Sequence, residues 1–160
     1  MDKSFDVRMK VCDLVREEFG EKINGIDYQI RKGVYAVILN PKKDKVMTVR
    51  NRNGHHFLPG GGIEYNESHI KCLEREMLEE TGYKVLINSY IGNAMRYFNS
   101  TKNEPLLSDG YFYLANITIK KQEAIEPDHY IEWINIENSK QFLIHEHHYW
   151  AVKKGLNKVL

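Results

Sequence analysis

The chain has 160 residues, 42% of them hydrophobic and 28% charged, with 11 Gly and 4 Pro, a composition that excludes disordered and fibrous classes and suits one globular domain. Lys and Arg number 23 against 22 Asp and Glu, a net charge of +1, so there is no global basic field to hold duplex nucleic acid. The longest apolar run, Val34 to Leu39, falls far short of the roughly 18–20 residues a bilayer crossing takes. No secretory signal is legible either, so the expected compartment is the cytoplasm, without a membrane partner. Cys12 and Cys72 are expected as reduced structural thiols rather than a disulfide framework.

Phe5, Met9, Cys12, Val15 and Phe19 recur at three- and four-residue intervals before Gly20, which predicts an amphipathic helix over 4–19. Residues 1–18 are thus expected as a helical extension, for packing or dimerisation, before a single domain over 19–160. The β-branched and aromatic stretch from Tyr28 to Leu39, the turn-rich Asn40 to Asp44 and the run Val46 to Arg50 predict two strands joined by a turn. Further strands are expected at Lys84–Ile91, Ala94–Phe98, Tyr111–Lys120 and Tyr130–Ile136, with a closing helix over Glu146–Leu160. Strands interleaved with two or three helices indicate a layered α+β or α/β domain, a mixed sheet covered by helices.

The informative segment runs LPGGGIEYNESHIKCLEREMLEETGY from Leu58 to Tyr83. Its glycine loop passes into a helix predicted over 67–81, with Asn66 as N-cap, Glu67 at the positive helix start and Gly82 as the left-handed stop. Ile70, Leu73 and Met77 form one stripe, expected to face the core, while Glu76, Glu79 and Glu80 share another face. A solvated acidic face is the ordinary explanation for such a cluster. Against it, carboxylates in the last turn oppose the helix dipole, and like charges at these spacings each cost about 0.2–0.5 kcal/mol. A divalent cation would relieve that repulsion, because hard ions take carboxylate and carbonyl oxygens. On the residues alone both readings stand.

The same residues resemble the box of the Nudix (MutT-like) hydrolase family. Gly61, Glu67, Arg75, Glu76, Met77, Glu79, Glu80, Gly82 and Tyr83 occur in its order and spacing, a coincidence on the order of 10⁻⁹ per window for seven fixed residue types. Tyr83 stands where an aliphatic residue is usual, and Cys72 where Ala is common. The resemblance implies an α/β/α sandwich and cleavage of a pyrophosphate bond in a nucleoside diphosphate linked to a group X, giving a nucleoside monophosphate and phospho-X. It further implies Mg²⁺, or Mn²⁺, held by Glu79, Glu80, Glu76 and the Gly60 carbonyl, with Arg75 orienting the glutamates and Glu67 supporting the loop.

The general base is open between Glu76 and a later residue, with Glu132 the first alternative and Glu104 and Asp109 behind it on an expected loop. Arg50 and Arg52 are candidate phosphate contacts, since a guanidinium matches phosphate oxygens. Tyr97, Phe98, Tyr111 and Tyr113 are candidates for stacking on a base, with a core position as the alternative for each. His55 and His56 precede Phe57 and could line the phosphate entrance, but are not taken as site residues. His145, His147 and His148 lack the spacing of a zinc motif and are expected as exposed helix-start residues or as substrate contacts. The expected partner is a small nucleoside diphosphate derivative, with the protein a monomer or homodimer. The alternative is a Nudix-fold module that binds a nucleotide to regulate and does not turn it over.

Overall fold

Residues 16–160 are described by the structure, a computed structural model. The strands are β1 (Glu17–Phe19), β2 (Gln29–Val37), β3 (Lys45–Arg50), β4 (His56–Phe57), β5 (Gly60–Gly62), β6 (Tyr83–Asn99), β7 (Pro105–Lys120) and β8 (Tyr130–Asn135). Helices are α1 (His69–Thr81), the single turn α2 (Ser139–Phe142) and α3 (Glu146–Val159). A five-stranded mixed sheet has the order β1-β6-β7-β2-β5, and a three-stranded antiparallel sheet the order β4-β3-β8.

Alternation along β2 and β7 assigns the two faces of the large sheet. Val34, Ala36 and Ile38 meet Leu73, Met77 and Cys72 of α1, with Tyr111, Tyr113 and Ala115 beside them. On the other face Val37, Phe112, Leu114 and Ile91 meet Ala151 and Val152 of α3. The sheet is therefore held between helices, each buried Leu, Val or Met contributing about 1.5–3 kcal/mol. The smaller sheet supplies Met47 to the first core and Val46 and Ile134 to the second. This is the mixed α+β sandwich expected from the element pattern.

Several boundaries differ from expectation. Most of the N-terminal helix expected over 4–19 lies outside the described residues, but Glu17–Phe19 form a strand parallel to β6. Helix α1 begins at His69, two residues late, because Ser68 and not Asn66 caps it, its side chain accepting from Lys71 N–H at 3.2 Å. Glu67 is instead held in the preceding turn, accepting from Glu64 N–H at 2.9 Å. Ile70 is 52% exposed while Leu73 and Met77 are fully buried; His69, whose ring lies 4.4 Å from that of Tyr111, covers the sheet at that end. The strands expected at Lys84–Ile91 and Ala94–Phe98 are one, β6, whose irregularities at Val85, Ser89 and Gly92 are absorbed as bulges. Strand β7 begins at Pro105, which places Asp109 in a strand rather than a loop, 1% exposed and accepting from Asn93 Nδ2 at 2.7 Å.

Gly82 ends α1 in the left-handed conformation, φ 78°, with its N–H donating to the Leu78 carbonyl at 3.0 Å. Its carbonyl accepts from Lys121 N–H at 2.8 Å, and an added Cβ would collide with the Gln122 carbonyl oxygen. Gly82→Ala is expected to destabilise the protein by at least about 2 kcal/mol, from the left-handed penalty plus the clash. Chemical denaturation measures it, and an unchanged midpoint would contradict the assignment.

Candidate metal centre and adjoining cavity

The carboxylates of α1 meet the glycine loop at close range. Gly60 N–H donates to Glu80 Oε1 at 2.8 Å, and a Cβ on Gly61 would stand 2.5–2.7 Å from the carboxylate atoms of Glu76. Gly61 therefore leaves the space that Glu76 occupies.

Arg75 organises the acidic face. Its Nε and Nη2 form a two-pronged bond to Glu67, at 3.1 and 2.6 Å. Nη1 donates to Glu76 and Glu79, at 3.0 and 3.2 Å, and Nη2 also reaches the Gly62 carbonyl at 2.9 Å. One planar guanidinium thus joins helix, turn and glycine loop. The bond to Arg75 holds the Glu67 carboxyl down at about 2. Glu80 lies the other way, raised well above its ordinary value by burial despite the Gly60 N–H, with Glu76, Glu126 and Glu79 adding repulsion. Burial likewise raises Glu76, and Arg75 offsets part of that. Carboxylates buried together this way fit a site for a hard cation, whose charge would favour the ionised forms.

Two residues absent from the sequence reading complete the cluster. Ile125 and Glu126 N–H groups donate to the Glu79 carbonyl, at 2.8 and 3.1 Å, and hang the turn before β8 over the end of α1. Ligand atoms of Glu76, Glu79 and Glu126 lie within 4.8 Å of one another, as do those of Glu80, Glu126 and His129. Glu126 belongs to both groups, and its Oε2 is 2.6 Å from His129 Nδ1. No local pattern in Glu126-Pro127-Asp128-His129 signals this, because the approach is made by a turn distant in sequence.

The other candidates are placed as follows. Glu132 Oε2 accepts from Arg50 Nε at 2.9 Å across β3 and β8, and Arg50 also lies over the Tyr130 ring. Arg52 is paired with Asp128 at 2.7 Å on the surface. Both arginines thus brace the segment that carries Glu126 and His129. Tyr97 is packed edge-on against Tyr28 in a separate small cluster with Met95 and Leu107, away from the carboxylates. Tyr111 and Tyr113 pack against His69, the Tyr113 hydroxyl 2.8 Å from its Nδ1. Phe98 lies beside Arg96 and His145. Glu104 stands in the turn before β7, its N–H bonded to Ser100 Oγ at 3.1 Å. His56 is buried with Nδ1 2.9 Å from Thr48 Oγ1, a structural position, and His55 is exposed.

The histidines of α3 correct the expectation of an exposed helix start. His147 and His148 are 0% and 1% exposed, and they continue the stripe of Ala151, Val152 and Gly155 that packs on the large sheet. That i, i+4 relation was the signal available in the sequence. A cavity of about 300 Å³ joins this region to the acidic cluster, with His145, His148, Phe57, Val49, Gly60, Glu80 and His129 on its walls.

Burial holds His145 down at about 4, with the Arg96 charge adding, and His147 at about 3, and burial lowers His148 well below its ordinary value too. These groups bind protons in the unfolded chain below about 6.5 but not in the folded one until the lower values, so their stabilisation is present above 6.5 and lost on acidification. Glu76 and Glu80 act in the opposite sense, being raised on folding, but the three histidines outnumber them, and His56 and His69 are lowered too. The metal-free Tm is expected to fall as the pH drops from 6.5 towards 4; a flat or rising Tm in calorimetry would contradict the buried placement.

The chain matches the NUDIX domain over residues 29–153, which spans every described strand except β1, both α1 and α2, and the first part of α3. It belongs to the Nudix family. A Bacillus subtilis (strain 168) protein, provisionally named an 8-oxo-dGTP diphosphatase, is 28% identical over 88 residues, a match covering 49% of this chain and 59% of that protein's length. A NUDIX hydrolase from Nitrosomonas europaea has the same fold, with TM-score 0.66 and 19% identity, covering 81% of this chain and 90% of the other. A UDP-X diphosphatase structure has TM-score 0.62 and 18% identity, covering 100% of this chain and 74% of its own. The MutT NUDIX hydrolase of Burkholderia pseudomallei is similar at TM-score 0.60 and 20% identity, covering 79% of this chain and 98% of the other. Among the described residues, no helix is long and apolar enough to cross a membrane.

Proposed function

We propose that this protein is a divalent-metal-dependent pyrophosphohydrolase that cleaves a nucleoside diphosphate derivative into a nucleoside monophosphate and phospho-X. The observation that carries the reading is the convergence of Glu76, Glu79, Glu80 and Glu126 beside the glycine loop. A phosphoanhydride is dense in negative charge, and a surface of carboxylates receives it only through cations. Mg²⁺, or Mn²⁺, would be held by Glu79, Glu80, Glu76 and Glu126, with the Gly60 carbonyl as a further ligand, and would neutralise phosphate oxygens and acidify a bound water.

The chain's own residues do the rest. Arg75 fixes the orientation of Glu67, Glu76 and Glu79 through four hydrogen bonds, and a fifth ties it to the Gly62 carbonyl. Glu126 belongs to both groups of ligand atoms and can serve either the metal or the attacking water, whereas the Glu132 carboxylate is engaged by Arg50. His129 Nδ1 lies beside Glu126 Oε2, at 2.6 Å. Arg50 and Arg52, expected as phosphate contacts, act in this reading through the turn they brace.

The test is product identification across nucleoside triphosphates, oxidised nucleotides, nucleotide sugars and dinucleoside polyphosphates, with Mg²⁺, Mn²⁺ or chelator. Hydrolysis to a nucleoside monophosphate that chelator abolishes is expected. Nucleotide binding in thermal shifts with no turnover of any compound would overturn the enzymatic reading in favour of a regulatory module.

A further inference from the structure

At the end of α1 two ligand atoms stand close together without a hydrogen bond. The Glu80 side chain is 8% exposed, and its Oε1 accepts from Gly60 N–H at 2.8 Å. Its Oε2 receives no hydrogen bond among the described residues and lies 3.8 Å from His129 Nδ1. The same Nδ1 is 2.6 Å from Glu126 Oε2. Neither contact is a hydrogen bond, and the nitrogen is buried without a partner. Buried polar atoms are almost always paired, so a ring nitrogen set against two carboxylates and bonded to neither points to an ion between them. The turn that carries it is held on both sides. Ile125 and Glu126 N–H groups bond to the Glu79 carbonyl, and Asp128 pairs with Arg52 at 2.7 Å. Glu126 and His129 are thus set against Glu80 by the fold, not by a bond to one another.

We propose that Glu80, Glu126 and His129 form a second metal position whose nitrogen donor selects a borderline divalent ion, Zn²⁺ or Co²⁺, over Mg²⁺. The inference rests on the reading of the carboxylates as a metal centre and divides their ligand atoms between two ions, with Glu126 common to both groups. Bonds from Zn²⁺ to imidazole nitrogen and carboxylate oxygen are about 2.0–2.2 Å long, so ligand atoms of one such ion lie within about 4.4 Å of each other. The Nδ1 distances of 2.6 and 3.8 Å meet that limit. Glu76, Glu79 and Glu126 offer oxygen alone, which suits Mg²⁺, a hard ion that keeps several of its waters. An imidazole instead suits Zn²⁺ and its neighbours in the first transition row. Two carboxylates and one imidazole, with a coordination position left open, match the donor count of a catalytic zinc site. His129 Nδ1 binds in its unprotonated form, with the ring proton on Nε2.

Co²⁺ serves as the probe, because its visible absorption reports binding without any turnover. The metal-free full chain is titrated with Co²⁺ under excess Mg²⁺, and separately with Mg²⁺ by calorimetry, for the wild type, His129→Gln and Glu79→Gln. The Tm in chelator checks that each variant is folded. Expected is one Co²⁺ per chain that excess Mg²⁺ does not displace. His129→Gln is expected to weaken Co²⁺ at least about tenfold, the lower end of the loss when even an outer partner of a ligand is removed, and to leave Mg²⁺ affinity as it was. Glu79→Gln, which alters only the all-oxygen group, is expected to weaken Mg²⁺ and retain Co²⁺. Co²⁺ that Mg²⁺ displaces, or a Co²⁺ affinity that His129→Gln leaves unaltered or lowers together with that for Mg²⁺, overturns the inference and leaves the proposed function standing. A wild type that binds neither ion overturns the metal centre of the proposed function, and the inference with it.

Discussion

Glu80→Gln is expected to lower metal-dependent hydrolysis at least about a hundredfold while leaving the metal-free protein as stable as the wild type or more so. Glu80 is 7% exposed and raised well above its ordinary value by burial, so ionising it works against folding. A glutamine of the same shape keeps an oxygen for Gly60 N–H, at 2.8 Å in the wild type, and removes the buried charge. The charge is what a hard cation needs, and an amide oxygen supplies less of it. Glu79→Gln is expected to lose activity similarly. Steady-state kinetics with a metal titration, set beside Tm in chelator, separates the two effects. Retained activity in both variants would sink the metal assignment.

The second large effect is expected at Arg75. Read from the sequence, it has an ordinary alternative as a surface i, i+4 partner of Glu79, worth about 0.3–0.5 kcal/mol. The structure gives it four acceptor groups at once, Glu67, Glu76, Glu79 and the Gly62 carbonyl, with its side chain 22% exposed. Arg75→Met removes the counter-charge and leaves carboxylates crowded on one helix face. A fully buried pair broken this way costs about 3–5 kcal/mol; partial exposure reduces that to about 2–4 kcal/mol, a fall in Tm of about 6–12 °C in a domain this size. Arg75→Lys is expected to recover little, since an ammonium cannot span the two oxygens of Glu67 and reach Glu76 together. A loss under about 0.5 kcal/mol in Arg75→Met would return Arg75 to the surface-pair description.

The parts of this site that are legible in the sequence are those set by local spacing. Helical period places Glu76, Glu79 and Glu80 together and Leu73 and Met77 beneath them, and Gly82 stops the helix as its position predicts. Spacing is less informative at the start of the same helix, where Asn66 and Ser68 are both competent caps and the capture of Glu67 by Arg75 and the Glu64 amide decides for Ser68. Glu126 and His129 were beyond reach because tertiary hydrogen bonds to the Glu79 carbonyl bring them in, and no periodicity encodes that. Polarity misled at His147 and His148. Two adjacent histidines after a glutamate look solvated, yet both sit on the buried stripe of α3, a relation visible only when Ala151, Val152 and Gly155 are aligned with them. Glu132, the first alternative for the base in the sequence, has its carboxylate engaged by Arg50.

The most direct test of the metal centre is Mn²⁺ binding by electron paramagnetic resonance, in the wild type and in Glu80→Gln. Glu80 and Glu126 belong to one cluster of ligand atoms within 4.8 Å, so the wild type is predicted to take up Mn²⁺ saturably, in competition with Mg²⁺, and the variant to lose most of that affinity. A wild type that binds no Mn²⁺, or a variant that binds it equally well, would contradict the assignment of these carboxylates to a metal.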